Sequence, residues 1–118
     1  SIGHKDTDNL LRANKVRSNG QDGVFFRNET LGMSGHRNRL EDNLIENNGS
    51  GDGTAAGIRI RGETRDILIK NNLIRDTRPK GSQTQSIGIR IDEKVGPVQL
   101  QKNSIVAETS IRDERKTD

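Results

Sequence analysis

One phrase, Leu-x-x-Asn-x-Ile, constrains this chain more than any other feature. It occurs as Leu11-Arg-Ala-Asn14-Lys-Val16, Leu40-Glu-Asp-Asn43-Leu-Ile45, Ile69-Lys-Asn-Asn72-Leu-Ile74 and Leu100-Gln-Lys-Asn103-Ser-Ile105, with the asparagines 29, 29 and 31 residues apart. A second phrase, Gly-Φ-x-Φ (Φ apolar), alternates with it: Gly23-Val-Phe-Phe26, Gly57-Ile-Arg-Ile60 and Gly88-Ile-Arg-Ile91, with Ser1-Ile2 as the end of an earlier copy. From the last Φ to the next Leu or Ile is nine residues in three cases and fourteen in the other, Phe26 to Leu40. Two phrases kept in phase over four copies define a repeat architecture.

Within each phrase the apolar residues alternate, and most are β-branched or Leu, which predicts short strands with every second side chain buried. The segments between are rich in Gly, Ser, Thr, Asn and Asp and read as turns. One repeat is too short and too polar to bury its own apolar residues. Stacked at about 4.8 Å per layer, the repeats form continuous parallel sheets around an aliphatic core. Asn, the non-glycine residue most tolerant of a left-handed backbone, suits a sharp bend between strands. Its amide both donates and accepts, so Asn14, Asn43, Asn72 and Asn103 are expected to stack as a ladder at one bend.

Composition matters because the chain is polar enough to raise disorder as an alternative. Mean hydropathy is -0.92, and Ile, Leu, Val and Phe make up 27 of 118 residues. That is above the roughly 20% below which disorder becomes the default, and a net charge of only +3 adds little repulsion. The arrangement of the apolar residues therefore decides for a folded solenoid. Absence of cysteine excludes a disulfide scaffold and a thiolate metal site. No apolar run is long enough to span a membrane and no signal peptide is present, so no membrane partner is expected.

The two phrases together resemble the right-handed parallel β-helix family of pectate-lyase-like proteins, over residues 1–107. The expected fold is all-β: a right-handed parallel β-helix of about four coils in three sheets, with an Asn ladder and little or no helix. Residues 108–118 are polar, with Ile111 as the only large aliphatic side chain, and read as a tail or a minimal cap. A leucine-rich repeat is the rival, since Ile67-x-Ile69-x-x-Asn72-x-Ile74 also fits its core phrase. That fold needs a convex segment after the phrase, whereas residues 75–92 supply Pro, Gly, Ser and another strand. Stacked coils leave strand edges and core open at both ends. The chain is therefore expected to be excised from a longer solenoid, to associate end to end, or to be capped by its own tail.

Register gives the outward residues of the Gly-Φ-x-Φ sheet. With Val24/Phe26, Ile58/Ile60 and Ile89/Ile91 inward, one outward column is Phe25, Arg59, Arg90. The next is Gly3, Arg27, Arg61, Asp92, and beyond it come Lys5, Glu29, Glu63 and Lys94. The bland reading is an Arg/Glu ladder that neutralises itself on a solvated face. The sharper one is a cationic groove for an acidic polysaccharide, because Arg grips carboxylates bidentately and stacked coils suit an extended chain. In that reading Arg59, Arg61, Arg90, Phe25 and His4 bind substrate.

The resemblance implies polysaccharide lyases, epimerases and glycoside hydrolases, but also non-enzymatic modules used for binding or as spacers. In the family's lyases a Lys, Arg or His removes the proton beside a uronate carboxyl group that a cation neutralises. The corresponding candidates here are His36, in the long loop 30–37, then Lys5, with Arg27 neutralising the carboxyl group. A histidine in a loop is more often simply solvated. Asp6-x-Asp8 and Asp52 offer oxygens to calcium, although Asp is common in polar turns; no cofactor is expected. No Gly-x-Ser-x-Gly, zinc spacing or phosphate loop occurs. A nucleic-acid partner is disfavoured despite a pI of about 9.6, because two Phe residues give little stacking surface and no basic run is long. An acidic glycan ligand implies a secreted, cell-surface or periplasmic location.

Overall fold

A computed structural model describes residues 1–50 and 54–115. Its strands repeat in threes. The first coil holds β1 (Leu10–Arg12), β2 (Lys15–Arg17) and β3 (Val24–Phe26). The second holds β4 (Arg39–Glu41), β5 (Leu44–Glu46) and β6 (Ala56–Ile60). The third holds β7 (Ile67–Lys70), β8 (Leu73–Arg75) and β9 (Ile87–Ile91). The fourth holds β10 (Val98–Gln101), β11 (Ser104–Val106) and β12 (Thr109–Asp113).

Every pairing is parallel, and each sheet takes one strand per coil. The first sheet runs β1-β4-β7-β10, the second β2-β5-β8-β11 and the third β3-β6-β9-β12. Ile2 bridges to Phe26 at the start of the third sheet. This is the parallel β-solenoid that the repeat predicts. A short 3-10 turn at Leu31–Met33 is the one helical element among the described residues, so the convex helices of a leucine-rich repeat are missing. Residues 109–113 belong to the sheet: β12 pairs with β9, placing Ile111 beside Ile89.

The apolar columns follow the register. Leu11, Leu40, Ile69 and Leu100 stack on the first sheet and Val16, Ile45, Ile74 and Ile105 on the second. Their inner members are fully buried, while Leu11, Val16, Leu100 and Ile105 at the ends are only partly so. The glycine of Gly-Φ-x-Φ answers to close approach. A Cβ on Gly57 would lie 2.9 Å from the Gly88 carbonyl oxygen and 2.5 Å from Ile74 Cγ2, so the corner beside the third sheet closes only without a side chain.

At the bend between the first and second sheets the ladder forms as expected. Asn43 donates from its backbone N–H and from Nδ2 to Asn72 Oδ1, at 3.0 and 2.9 Å, and Asn72 donates likewise to Asn103, both at 3.0 Å. The second Nδ2 proton goes back to the previous coil, from Asn43 to Leu11 O and from Asn72 to Leu40 O, both at 2.9 Å. The left-handed conformation, however, belongs to the preceding residue: Ala13, Asp42, Asn71 and Lys102 have φ of 57°, 58°, 56° and 53°. The ladder Asn must aim its own N–H along the stack, so its neighbour absorbs the reversal of direction.

Two further ladders join it. At the next bend Asn19 donates to Asn48 Oδ1 and Asn48 to Gln85 Oε1, with Nδ2 distances of 2.9 and 2.8 Å. At the bend before the first sheet Asn9 N–H donates to Asn38 Oδ1 at 2.8 Å. Asn38, Asn48 and Gln85 are fully buried, so in this thin core polar side chains supply backbone partners that water cannot reach. The excursion after β8 is organised by Asp76, whose carboxylate accepts from the Arg78 guanidinium and from the N–H groups of Arg78, Thr84 and Gln85.

Candidate functional site

The outer faces of the three sheets differ in charge pattern. On the first sheet Arg12, Glu41 and Lys70 are successive register partners, and on the second Arg17, Glu46 and Arg75 are. Both columns alternate in sign. Arg39 pairs with Glu41 at 2.6 Å and Arg75 with Glu46 at 3.0 Å. On the third sheet the column reads Phe25, Arg59, Arg90, Arg112. Three like charges follow one another at the inter-strand spacing of about 4.8 Å.

Among the described residues, the carboxylates paired with this column lie at its edge. Asp92 is 3.5 Å from Arg59, 3.8 Å from Arg61 and 3.7 Å from Arg90, and Glu114 is 2.8 Å from Arg90. The shared carboxylate serves its partners poorly. The Nε atoms of Arg59 and Arg61 and Oδ1 of Asp92 are shielded from solvent and make no hydrogen bond. Among the described residues neither Arg112 nor Arg27 has an acidic partner within ion-pair distance.

At the leading ends of the same strands lies an open, polar cleft of about 410 Å³, lined by Gln21, Asp22, Ser50, Thr54, Arg59 and Arg90 among others. Its walls are the turn before β3, the turn before β6 and the arginine column itself. Asp22 Oδ1 accepts the Ala56 N–H at 2.8 Å, which fixes that carboxylate in the wall.

The structure thus brings Arg59, Arg61 and Arg90 together, with Phe25 in the column beside Arg59. Arg27 neighbours Gly3, where a Cβ would meet its side chain at 2.8 Å. His4 and Lys5 are exposed on a turn where both have positive φ, 50° and 68°. His36 is held by backbone at both ring nitrogens: Nε2 contacts Leu31 O at 2.5 Å and Nδ1 accepts the Arg65 N–H at 3.2 Å. An accepting Nδ1 assigns the ring proton to Nε2. Among the described residues no hydrogen bond or ion pair joins His36 to the side chains of Lys5 or Arg27. What ties the two turns together is backbone, Lys5 N–H to Met33 O and Asp8 N–H to His36 O.

The loop carboxylates considered for calcium are also engaged. Asp6 Oδ2 accepts the Gly3 N–H at 3.2 Å. Asp8 is gripped in a bidentate pair by Arg37 at 2.7 and 3.0 Å, and the guanidinium holds its carboxyl below the usual range. Asp52 lies outside the described residues. Among the described residues no group of three His, Cys, Asp or Glu side chains is placed to hold a metal ion.

Asp22, Arg112 and Glu114 escaped the sequence reading. Arg112 and Glu114 sit in the polar segment 108–118, outside the repeated phrases, and Asp22 belongs to neither phrase. One signal for the corner was present: Asn19-Gly20 and Asn48-Gly49 recur 29 residues apart, in phase with the main ladder.

The fold and this face define a parallel β-solenoid with one cationic side. No protein-family model matches the chain, and comparison with curated proteins and with solved structures gives no match.

Proposed function

We propose that this β-solenoid is a binding module for an acidic polysaccharide, held along the outer face of the third sheet. The observation that carries the reading is the unalternated column Arg59, Arg90, Arg112. Like charges at this spacing repel, and the first and second sheets avoid the cost by alternating sign. A column that keeps its charges beside an open cleft suits a ligand that supplies anions at intervals along an extended chain. Guanidinium groups favour carboxylates because two parallel N–H bonds meet two oxygens. The cleft adds the Gln21 amide and the Ser50 hydroxyl, whose oxygen still accepts while its proton goes to Gly20 O, and these suit a sugar better than a bare polyanion. Such a ligand puts the module at or outside the cell surface.

The reading is one of binding. With both ring nitrogens committed to backbone, His36 is assigned to anchoring the 30–37 loop rather than to proton transfer beside the arginines.

The test is retention on an immobilised polyuronate, compared with a neutral glucan, at rising NaCl. Retention is expected to weaken with salt, since part of the attraction is screened within about 8 Å at physiological ionic strength. Arg59→Ala with Arg61→Ala is expected to abolish it with the far-UV CD spectrum unchanged, because both side chains point away from the core. Retention indifferent to salt and to this double change would reduce the face to a self-paired surface.

A further inference from the structure

The cleft carries charges of both signs that do not neutralise each other. Asp22 lies within ion-pair distance of no cation among the described residues, although Arg59 and Arg90 line the same cleft. Its Oδ1 is fixed by the Ala56 N–H at 2.8 Å, and among the described residues its Oδ2 accepts no hydrogen bond. Arg59 in turn is weakly occupied: its one ion pair among the described residues, to Asp92, is 3.5 Å long, and its Nε has no hydrogen-bond partner.

A ligand suited to this arrangement presents an anion to the arginines and hydrogen-bond donors to Asp22. A hexuronate ring does so, with one carboxylate and several hydroxyls. A sulfated or phosphodiester polymer puts further anions where Asp22 already stands. The volume of about 410 Å³ lies within the range of small-ligand sites. We propose that this cleft is a subsite for one hexuronate residue, and that Asp22 selects it against more densely charged polyanions. The proposal rests on the binding reading above and adds the residue that sets specificity; discrimination of this kind works by a repulsive element as well as an attractive one.

The experiment is calorimetric titration of the 118-residue protein with a uronate hexasaccharide and with a heparin-derived hexasaccharide, at 0.15 M salt. The wild type is expected to prefer the uronate. Asp22→Asn keeps a side-chain oxygen for the Ala56 N–H and removes the charge. It is expected to raise affinity for the sulfated oligomer about tenfold or more and to weaken binding of the uronate, whose hydroxyls lose a charged acceptor, so that the preference narrows or inverts. In parallel, amide resonances of residues 20–23 in the wild type are expected to shift with the uronate oligomer, a readout independent of how the variant folds. If both oligomers bind, binding is lost in Arg59→Ala, and yet the preference is unchanged in Asp22→Asn or residues 20–23 do not respond, the subsite falls and polymer binding stands. If neither oligomer binds the wild type, or binding survives Arg59→Ala with Arg90→Ala, both readings fall together.

Discussion

Arg59 and Arg90 are register partners on adjacent strands, and both guanidinium groups turn to one carboxylate, Asp92, at 3.5 and 3.7 Å. Arg61 shares it at 3.8 Å. Asp92 therefore holds three cations together with no short hydrogen bond to any of them. Asp92→Asn is expected to destabilise the fold by about 1–2 kcal/mol in low salt. The loss should shrink at 0.5 M NaCl, where the exposed repulsion is screened. Urea denaturation at two salt concentrations checks this; an equal loss at both would assign it to packing.

The ladder makes a sharper statement about adjacent residues. Asn72 is buried and its amide takes part in four hydrogen bonds, two donated by Asn43 and two given to Leu40 O and Asn103. Asn72→Leu strands those partners and is expected to cost about 3 kcal/mol. Asn71 carries the positive φ of 56° and is exposed, so Asn71→Gly is expected to lie within about 0.5 kcal/mol of wild type, and Asn71→Val to be clearly worse than Gly. Thermal denaturation of the three variants checks the order. Equal effects at both positions would place the bend's requirement on Asn72 as well.

Asp76 sets a pH limit. Burial alone would raise its pKa, but the Arg78 guanidinium and the N–H groups of Gln85, Arg78 and Thr84 outweigh it and lower the value to about 2. A depressed folded-state pKa means that the stabilisation is complete above the unfolded value of 3.8 and is lost as pH falls towards 2. Roughly 2 kcal/mol is at stake in that window. Asp76→Asn is expected to lower stability at pH 6 and to flatten its fall between pH 4 and 2. A variant with the wild-type acid profile would contradict this account.

Replacing His36 tests anchoring against catalysis. His36→Ala removes the contacts to Leu31 O and Arg65 N–H and is expected to speed amide exchange or proteolytic nicking within residues 30–37. Polyuronate retention should remain as in the wild type. Loss of a measurable depolymerising activity in this variant would instead return His36 to chemistry.

How far the sequence spoke depended on whether a residue's role repeated. Asn14, Asn43, Asn72 and Asn103 keep type and spacing, so sheet number, register and the inward residues of the strands within the two repeated phrases were readable. The left-handed corner residues were not, because Ala13, Asp42, Asn71 and Lys102 share a backbone angle and no chemistry. The ladder Asn19, Asn48, Gln85 was hidden by a change of residue type and by the 78–86 excursion, which stretches its last step to 37 residues. β12 was missed because all five of its residues are exposed, which blurs the alternation that marks a half-buried strand. At the candidate site Arg59, Arg61 and Arg90 followed from register alone and Arg112 did not, whereas the cleft is made by turns whose approach across coils has no linear signature.

The indifference of the corner position to side-chain type has an evolutionary reading. A bend that accepts Ala, Asp, Asn or Lys can be copied with its whole coil and left to drift at that position without losing its shape. Each duplicated coil would add one more rung to the arginine column at the same azimuth. Grip on a long polymer could then be tuned through valency, with the number of coils as the variable, while each individual contact stays weak and readily reversible.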